Sequence, residues 1–213
     1  MAGDDWFRRT TWTEQDAADF EARLKRSRSR SRDSYLHLQA FHLAEAGEHR
    51  AALSLLDRRL VEYRDSIFTA ESHLLRAECL DALGLVDEAV AAYRASLGAQ
   101  EDRPNVVPGV ERSFARFIAV RRIVDLYDEA LHLALRGEWA SGAATPSQRF
   151  GRALVQALIA HERGDAEAAR WFAAVARVAA AETHSGYSRH PDVGLAGPID
   201  PEIARRLDEI DAG

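Results

Sequence analysis

The chain has 213 residues, of which 46% are hydrophobic and 29% charged, and its formal net charge is -6 at pH 7. The length allows one sizeable core or one continuous stack of repeats, so we predict a single domain over residues 1–213. The negative charge argues against a protein that coats nucleic acid, because that affinity comes from neutralising phosphates with Lys and Arg.

The composition favours helices and gives no sign of a membrane protein. Ala, Leu, Arg and Glu dominate while Ile and Thr are scarce, which favours helix over sheet. No apolar run approaches the roughly 18 residues that a membrane-spanning helix needs. The start, MAGDDWFRRTTW, lacks the basic region and apolar stretch of a secretory signal. We therefore expect a cytoplasmic protein that does not enter a membrane.

The amino-terminal part predicts a long helix. Trp12, Thr13 and Asp16 form a start signal for a helix near residue 14. Amphipathic segments lie on both sides of the tract RSRSRSR at 26–32. The simplest interpretation is one helix from about residue 14 to residue 46, in which 13–32 continues directly into the first repeat.

The tract contains four arginines at alternate positions, Arg26, Arg28, Arg30 and Arg32. Alternate residues turn by about 200° on a helix, which spreads these side chains over two faces. Three interpretations stay open: a solvated or internally paired face, a patch for an acidic protein or an anionic ligand, and a nucleic-acid site. The net charge of the chain disfavours nucleic acid as the partner.

A short pattern recurs about four times at intervals of about 40 residues. The copies start at Gly47, Gly84, Asp125 and Gly164. Each has an alanine five places later, at Ala52, Ala89, Ala130 and Ala169. Seven places before each start stands a small or apolar residue, at Ala40, Ala77, Ile118 and Ala157. We predict antiparallel helix pairs, with the turn residue at positive φ and small residues where the backbones pack; such pairs must stack to bury their apolar faces.

The second copy carries the clearest form of the pattern, in Ala77, Gly84, Ala89, Tyr93 and Leu97. It resembles the tetratricopeptide repeat family, whose unit is about 34 residues of helix, turn and helix. The resemblance implies an all-α, right-handed α-solenoid of about four helix pairs over 33–182. The longer intervals and the aspartate in the third turn are typical of a divergent relative.

The carboxyl-terminal part predicts a helix start, a loop and a last helix. Thr145, Pro146 and Gln148 have the order of an N-cap, a first helical residue and a capping box. The stretch 183–199 has no helical period, and a loop of this length is either functional or loosely held. Residues 200–211 should form a short helix that caps the stack.

The resemblance also implies that the first helices of the repeats line a concave groove. This groove would be acidic in the second repeat, basic in the third and apolar in the fourth. The groove residues implied are His37, Phe41, Glu71, Leu74, Glu78, Asp81, Arg112, Arg122 and Leu158. Family members that clamp a terminal carboxylate use Lys and Asn in the groove; His37 and Phe41 stand there instead, so that mode is not expected.

No catalytic motif is present in the sequence. There is no glycine-rich phosphate loop, nucleophile elbow or HExxH, so we expect no enzyme, no cofactor and no metal site. Cys79 is the only cysteine, which excludes an internal disulfide, and its apolar neighbours predict a buried packing residue. The leading hypothesis is a non-catalytic scaffold or adaptor that binds a protein or peptide segment in its groove. A ligand-sensing module that uses the arginine tract or 183–199, a toxin-neutralising protein and a homo-oligomer stay open.

Overall fold

The computed structural model describes residues 5–103, 105, 109–136, 144–187 and 189–212, which form ten α-helices and one short 3-10 helix. The helices are α1 (Glu14–Arg26), α2 (Ser29–Glu45), α3 (His49–Glu62), α4 (Thr69–Ala82), α5 (Val86–Glu101), α6 (Val110–Arg121), α7 (Tyr127–Leu135), α8 (Pro146–Glu162), α9 (Ala166–Ala180) and α10 (Pro201–Ala212). These residues contain no strand, and the all-α class is confirmed. Within the same ranges, no helix has both the length and the apolar character required to cross a bilayer.

The chain divides into two compact units, Met1–Val110 (unit 1) and Glu111–Gly213 (unit 2). In unit 1, α2 pairs with α3 and α4 pairs with α5, while α2 and α3 both contact α4. In unit 2, α8 pairs with α9, α7 contacts α8, and α10 contacts both α8 and α9. Unit 1 therefore contains two helix pairs and unit 2 contains the pair α8–α9, as the repeated pattern predicts.

Three of the turns inside these pairs have the same hydrogen bonding. Gly47, Gly84 and Gly164 have φ values of 84°, 75° and 77°. After Gly47, the Glu48 N–H donates to the Leu43 carbonyl at 2.8 Å, and the other two turns repeat this bond. This is the Schellman arrangement, in which a residue at positive φ ends the helix. Glycine adopts that conformation without steric cost, so these three turns could be predicted from the sequence.

The turn between α6 and α7 has another residue in this position. Arg122 has φ of 56°, and the Ile123 N–H donates to the Ile118 carbonyl at 3.1 Å. The prediction that Asp125 replaces the turn glycine is therefore wrong. Asp125 lies in the 3-10 helix Val124–Leu126, which is inserted between the turn and α7. An arginine at positive φ is uncommon, so the sequence had no marker for this turn.

The alanines of the repeat are buried in all four copies. The predicted alanine is the fourth residue of the second helix in every copy and is fully buried: Ala52 in α3, Ala89 in α5, Ala130 in α7 and Ala169 in α9. On the first helices, the predicted residues Ala40, Ala77, Ile118 and Ala157 are also fully buried. Aligning the third copy on Arg122 places Ala115, which is buried too, at the position of the other small residues.

The prediction of one continuous helix from 14 to 46 is wrong, because the helix stops at Arg26. Ser27 is extended, with φ of −72° and ψ of 160°, and α2 starts at Ser29. Phe20 and Leu24 of α1 are buried in the same cluster as Leu36 of α2. A straight helix would carry α1 away from that cluster, so the break lets both helices bury their apolar faces together.

The predicted helix starts and the last helix are confirmed. Thr13 is the N-cap of α1 and Thr145 is the N-cap of α8, each with both hydrogen bonds of a capping box. Asp200 accepts hydrogen bonds from the backbone N–H groups of Glu202 and Ile203 at the start of α10. These side chains satisfy N–H groups that have no partner inside the helix.

Candidate functional site

Unit 1 brings most of the predicted groove residues onto two adjacent first helices. His37 and Phe41 lie on α2, and the acidic residues and Leu74 lie on α4, which contacts α2. We call this surface the α2/α4 face; it consists of His37, Phe41, Glu45, Glu71, Leu74, Glu78 and Asp81.

Phe41 is the exposed apolar residue of the α2/α4 face. Its side chain is 42% exposed, while Leu36, Ala40 and Leu43 of the same helix are fully buried. Its ring packs edge-on against His42, with centroids 5.5 Å apart. Phe41 is not among the residues of the hydrophobic cluster that contains Leu36, Ala40 and Leu43. An exposed aromatic ring beside polar groups can serve as an anchor for a partner.

Three carboxylates, those of Glu45, Glu78 and Asp81, lie near one another at the carboxyl-terminal ends of α2 and α4. Partial desolvation, together with the negative charges of Glu45 and Asp81, raises the pKa of Glu78. The last turn of α4 holds no basic residue, so the negative end of its helix dipole adds to this field. A cationic side chain placed here would relieve the repulsion among the carboxylates.

The His37 side chain is only 14% exposed, and it contacts residues of α4 below the surface of the α2/α4 face. Its Nδ1 lies 2.9 Å from the Ser72 hydroxyl, its Nε2 lies 3.8 Å from the Glu71 carboxylate, and its ring stacks on Phe68. Burial and the positive charge of Arg59 lower the pKa of His37 to about 4, against the opposing effect of a nearby aspartate. The ring is therefore neutral at pH 7 and acts as a packing and hydrogen-bonding group.

A buried ion pair fixes α2 and α3 against the start of α4. Arg59 of α3 is fully buried, and its Nε lies 2.8 Å from the Asp33 carboxylate of α2. The same guanidinium donates to the Ser66 hydroxyl at 2.8 Å and to the Phe68 carbonyl at 3.4 Å. Sequence reasoning missed this group, although Arg59 shares a helical face with Ala52 and Leu56, which signals an arginine in a core position.

The predicted groove residues of unit 2 have other roles. Arg122 lies in the turn after α6, and its Nε is 2.8 Å from Glu162, so its assignment to the face of a first helix is wrong. Leu158 is buried in α8 and cannot contact a partner, which corrects that assignment as well. Its burial follows from the wide apolar face of α8, which packs against both α9 and α10. Arg112 lies on α6 and is partly exposed.

The arginine tract does not form one surface. Arg32 donates to the Lys25 carbonyl in the last turn of α1 at 2.7 Å, and Arg26 donates to the Ala22 carbonyl, four residues before it, at 3.1 Å. Arg28 and Arg30 stand at the start of α2. Helix ends have carbonyls without partners inside the helix, and basic side chains satisfy them. This geometry favours internal pairing for Arg26 and Arg32.

The loop 183–199, in which residue 188 lies outside the described residues, is held by hydrogen bonds. Ser185 donates from its backbone to the Pro191 carbonyl and from its hydroxyl to the His190 carbonyl, at 2.8 and 2.9 Å. The Gly194 carbonyl accepts from the Ser147 N–H at 2.8 Å. The loop is thus attached to the start of α8.

Cys79 is buried in α4, as predicted. Burial raises the pKa of its thiol to about 12, and the charge of Glu78 acts in the same direction. The thiolate that a nucleophile requires is therefore absent at neutral pH.

Comparisons of the chain with protein-family models, with curated proteins and with solved structures find no match. Function is therefore inferred from the geometry of the chain itself.

Proposed function

We propose that the protein is a non-catalytic adaptor of the tetratricopeptide-like α-solenoid type, which binds a protein segment on the α2/α4 face. The observation that carries this proposal is the exposed Phe41 one helical turn from Glu45, with Glu78 and Asp81 on the neighbouring first helix. The complementary segment has an apolar side chain next to Lys or Arg.

The packing of unit 1 supports the repeat architecture. The pairs α2–α3 and α4–α5 are joined by contacts of α4 with both α2 and α3, which is how consecutive hairpins stack in a solenoid. Both pairs turn at a glycine of positive φ and bury an alanine at the same position of the second helix. In such a stack the first helices share one surface, where an extended segment can lie.

Apolar burial supplies the affinity in this proposal, and charge sets the orientation. Truncating an aromatic anchor in an interface commonly costs about 2 kcal/mol, or roughly thirtyfold in Kd. The carboxylates attract basic residues of the segment and raise its association rate. Because Glu78 has a raised pKa, binding of a basic segment should weaken as the pH falls and this carboxylate takes up a proton.

A displayed peptide library tests the proposal. Selection on the wild-type chain should enrich segments that combine Lys or Arg with an apolar residue. The double variant Phe41→Ala, Glu78→Gln should lose at least tenfold in affinity for the enriched peptides, by isothermal titration calorimetry. Val61→Ala, Glu88→Gln is the matched control: it also removes one exposed apolar side chain and one exposed carboxylate, but from the second helices α3 and α5.

Two outcomes would reject the α2/α4 face as the site. One is enrichment of acidic segments, and the other is equal affinity of the enriched peptides for the wild type and the Phe41/Glu78 variant. Loss of affinity in the Val61/Glu88 control would show that binding responds to general changes in unit 1 and not to this face.

A further inference from the structure

Helix α9 of unit 2 has two apolar faces, of which only one is used for folding. Ala169, Ala173, Ala176 and Ala179 are buried. On the opposite side, Trp171, Ala174, Val175 and Val178 form a stripe with helical spacing, which we call the α9 outer face. Trp171 is 61% exposed and Val178 is 68% exposed. Together with Arg149 and Glu182, this stripe lines a groove of about 330 Å³.

The helix-pair fold does not require apolar residues on this face. Counting from the turn glycines, the four corresponding positions are Ser54, Asp57, Arg58 and Val61 in α3, and Ala91, Arg94, Ala95 and Gly98 in α5. At the positions of Trp171 and Val175 the other two second helices have serine, alanine or arginine, and only Val178 has an apolar counterpart of its own size, Val61. Since the turn and the buried alanine are shared, the difference indicates a surface that a partner covers.

The order of residues along the stripe identifies the occupant. Glu167 lies one turn before Trp171, and Glu182 lies four residues after Val178, just past the end of α9. The order of residue types, with an acid at each end and apolar residues between, is thus the same in both directions about a point between Ala174 and Val175. A twofold axis through that point, normal to the helix, would place Trp171 of each copy against Val178 of the other. The small side chain of Ala174 at the centre lets the two helices approach closely.

At each end of the stripe, this arrangement brings Arg149 of one copy near Glu167 of the other. Glu182 pairs with Arg149 of α8, whose Nη2 lies 2.7 and 2.5 Å from the two carboxylate oxygens. The twofold axis brings Glu167 and the positive amino-terminal end of α9 from the second copy to this pair. Arg149 then lies between two carboxylates, and the helix dipole of the second copy favours Glu182.

We propose that the protein forms a twofold-symmetric dimer through antiparallel pairing of the α9 outer faces. The contact is about one 15-residue helix long, or roughly 22 Å, which is small for a permanent interface. The dimer is therefore of modest affinity, with a Kd on the order of 10 to 100 μM. This inference concerns unit 2 and is independent of the face proposed on unit 1.

Sedimentation velocity of the full chain, from about 1 μM to about 1 mM, tests the dimer around the expected Kd. Trp171→Glu and Val178→Lys should each raise the dissociation constant at least tenfold. The double variant should recover association, because the introduced acid of one copy faces the introduced base of the other. Ala91→Glu, at the position in α5 that corresponds to Trp171, is the matched control and should dimerise like the wild type.

Three results would overturn the proposal. The wild-type chain could stay monomeric at the highest concentration, or both single variants could associate like the wild type. The third such result is a double variant that does not regain association. Circular dichroism of every variant separates loss of association from loss of folding. Both substituted side chains are more than half exposed, so the helical signal should match that of the wild type.

Discussion

Replacing Arg59 by methionine should destabilise unit 1 more than any surface substitution. Methionine keeps much of the length and apolar volume of the side chain but removes its charge and its donors. Asp33, whose side chain is only 16% exposed, then loses the cation 2.8 Å away and keeps Ser66 as its remaining partner in this cluster. Removing one member of a buried pair costs about 3 to 5 kcal/mol, and we expect about 3 because Asp33 retains some contact with water.

The adjacent Arg58 provides the control for this substitution. Its side chain is 36% exposed and pairs with Glu62 at 2.8 Å and with Glu21. Because exposed ion pairs contribute about 1 kcal/mol or less, Arg58→Met should have a small effect. Asp33→Ala combined with Arg59→Met should cost less than the sum of the two single changes, since the partners are coupled.

Hydrogen exchange measured by mass spectrometry can assign the loss of stability to unit 1. For Arg59→Met, peptides from α2, α3 and α4 should lose protection equivalent to about 3 kcal/mol, while peptides from α8 and α9 of unit 2 serve as the reference. A loss below about 1 kcal/mol, or one equal to that of Arg58→Met, would refute the argument that this ion pair holds the first helices in place.

Three further predictions concern turns, pH and the carboxyl-terminal loop. Gly84→Ala should cost about 1 kcal/mol because φ is positive at 75°, whereas Gly98→Ala inside α5 should stabilise by about 0.5 to 1 kcal/mol, both measured by urea unfolding. The pKa of His37 is about 4 in the folded chain and about 6.5 in the unfolded chain. As the pH falls below about 6.5, the unfolded chain takes up a proton on His37 that the folded chain does not, which favours unfolding. The wild type should lose about 2 kcal/mol between pH 7 and pH 5 from this group, and urea unfolding of His37→Gln at both pH values should lack that part. Gly194→Ala places a Cβ 2.7 Å from Thr145 and should speed hydrogen exchange in 183–199 more than Gly186→Ala, where no atom is within 4 Å.

Features set by short stretches of sequence were predictable. The capping boxes at Thr13 and Thr145 and the turns at Gly47, Gly84 and Gly164 depend on residues within one helical turn of each other. Such local signals need no knowledge of the rest of the fold.

Features set by distant contacts were not predictable. The break after Arg26 depends on the burial of Phe20 beside Leu36, and periodicity alone favoured one straight helix. The turn at Arg122 has no glycine, which moved the predicted register of the third copy by three places. That error placed Arg122 in the groove. The resemblance predicted most residues of the α2/α4 face. It could not distinguish the exposed Phe41 from the buried Leu158, because exposure depends on the tertiary structure.

The residues of unit 1 that a bound segment contacts can be mapped directly. The measurement is a map of backbone amide chemical shifts of the isotope-labelled chain, titrated with a peptide enriched by selection. Shifts should concentrate in α2 and α4 around Phe41 and Glu78, with the second helices α3 and α5 changing least. Shifts centred on α9, on 183–199 or on the arginine tract 26–32, with α2 and α4 unchanged, would contradict the proposed site.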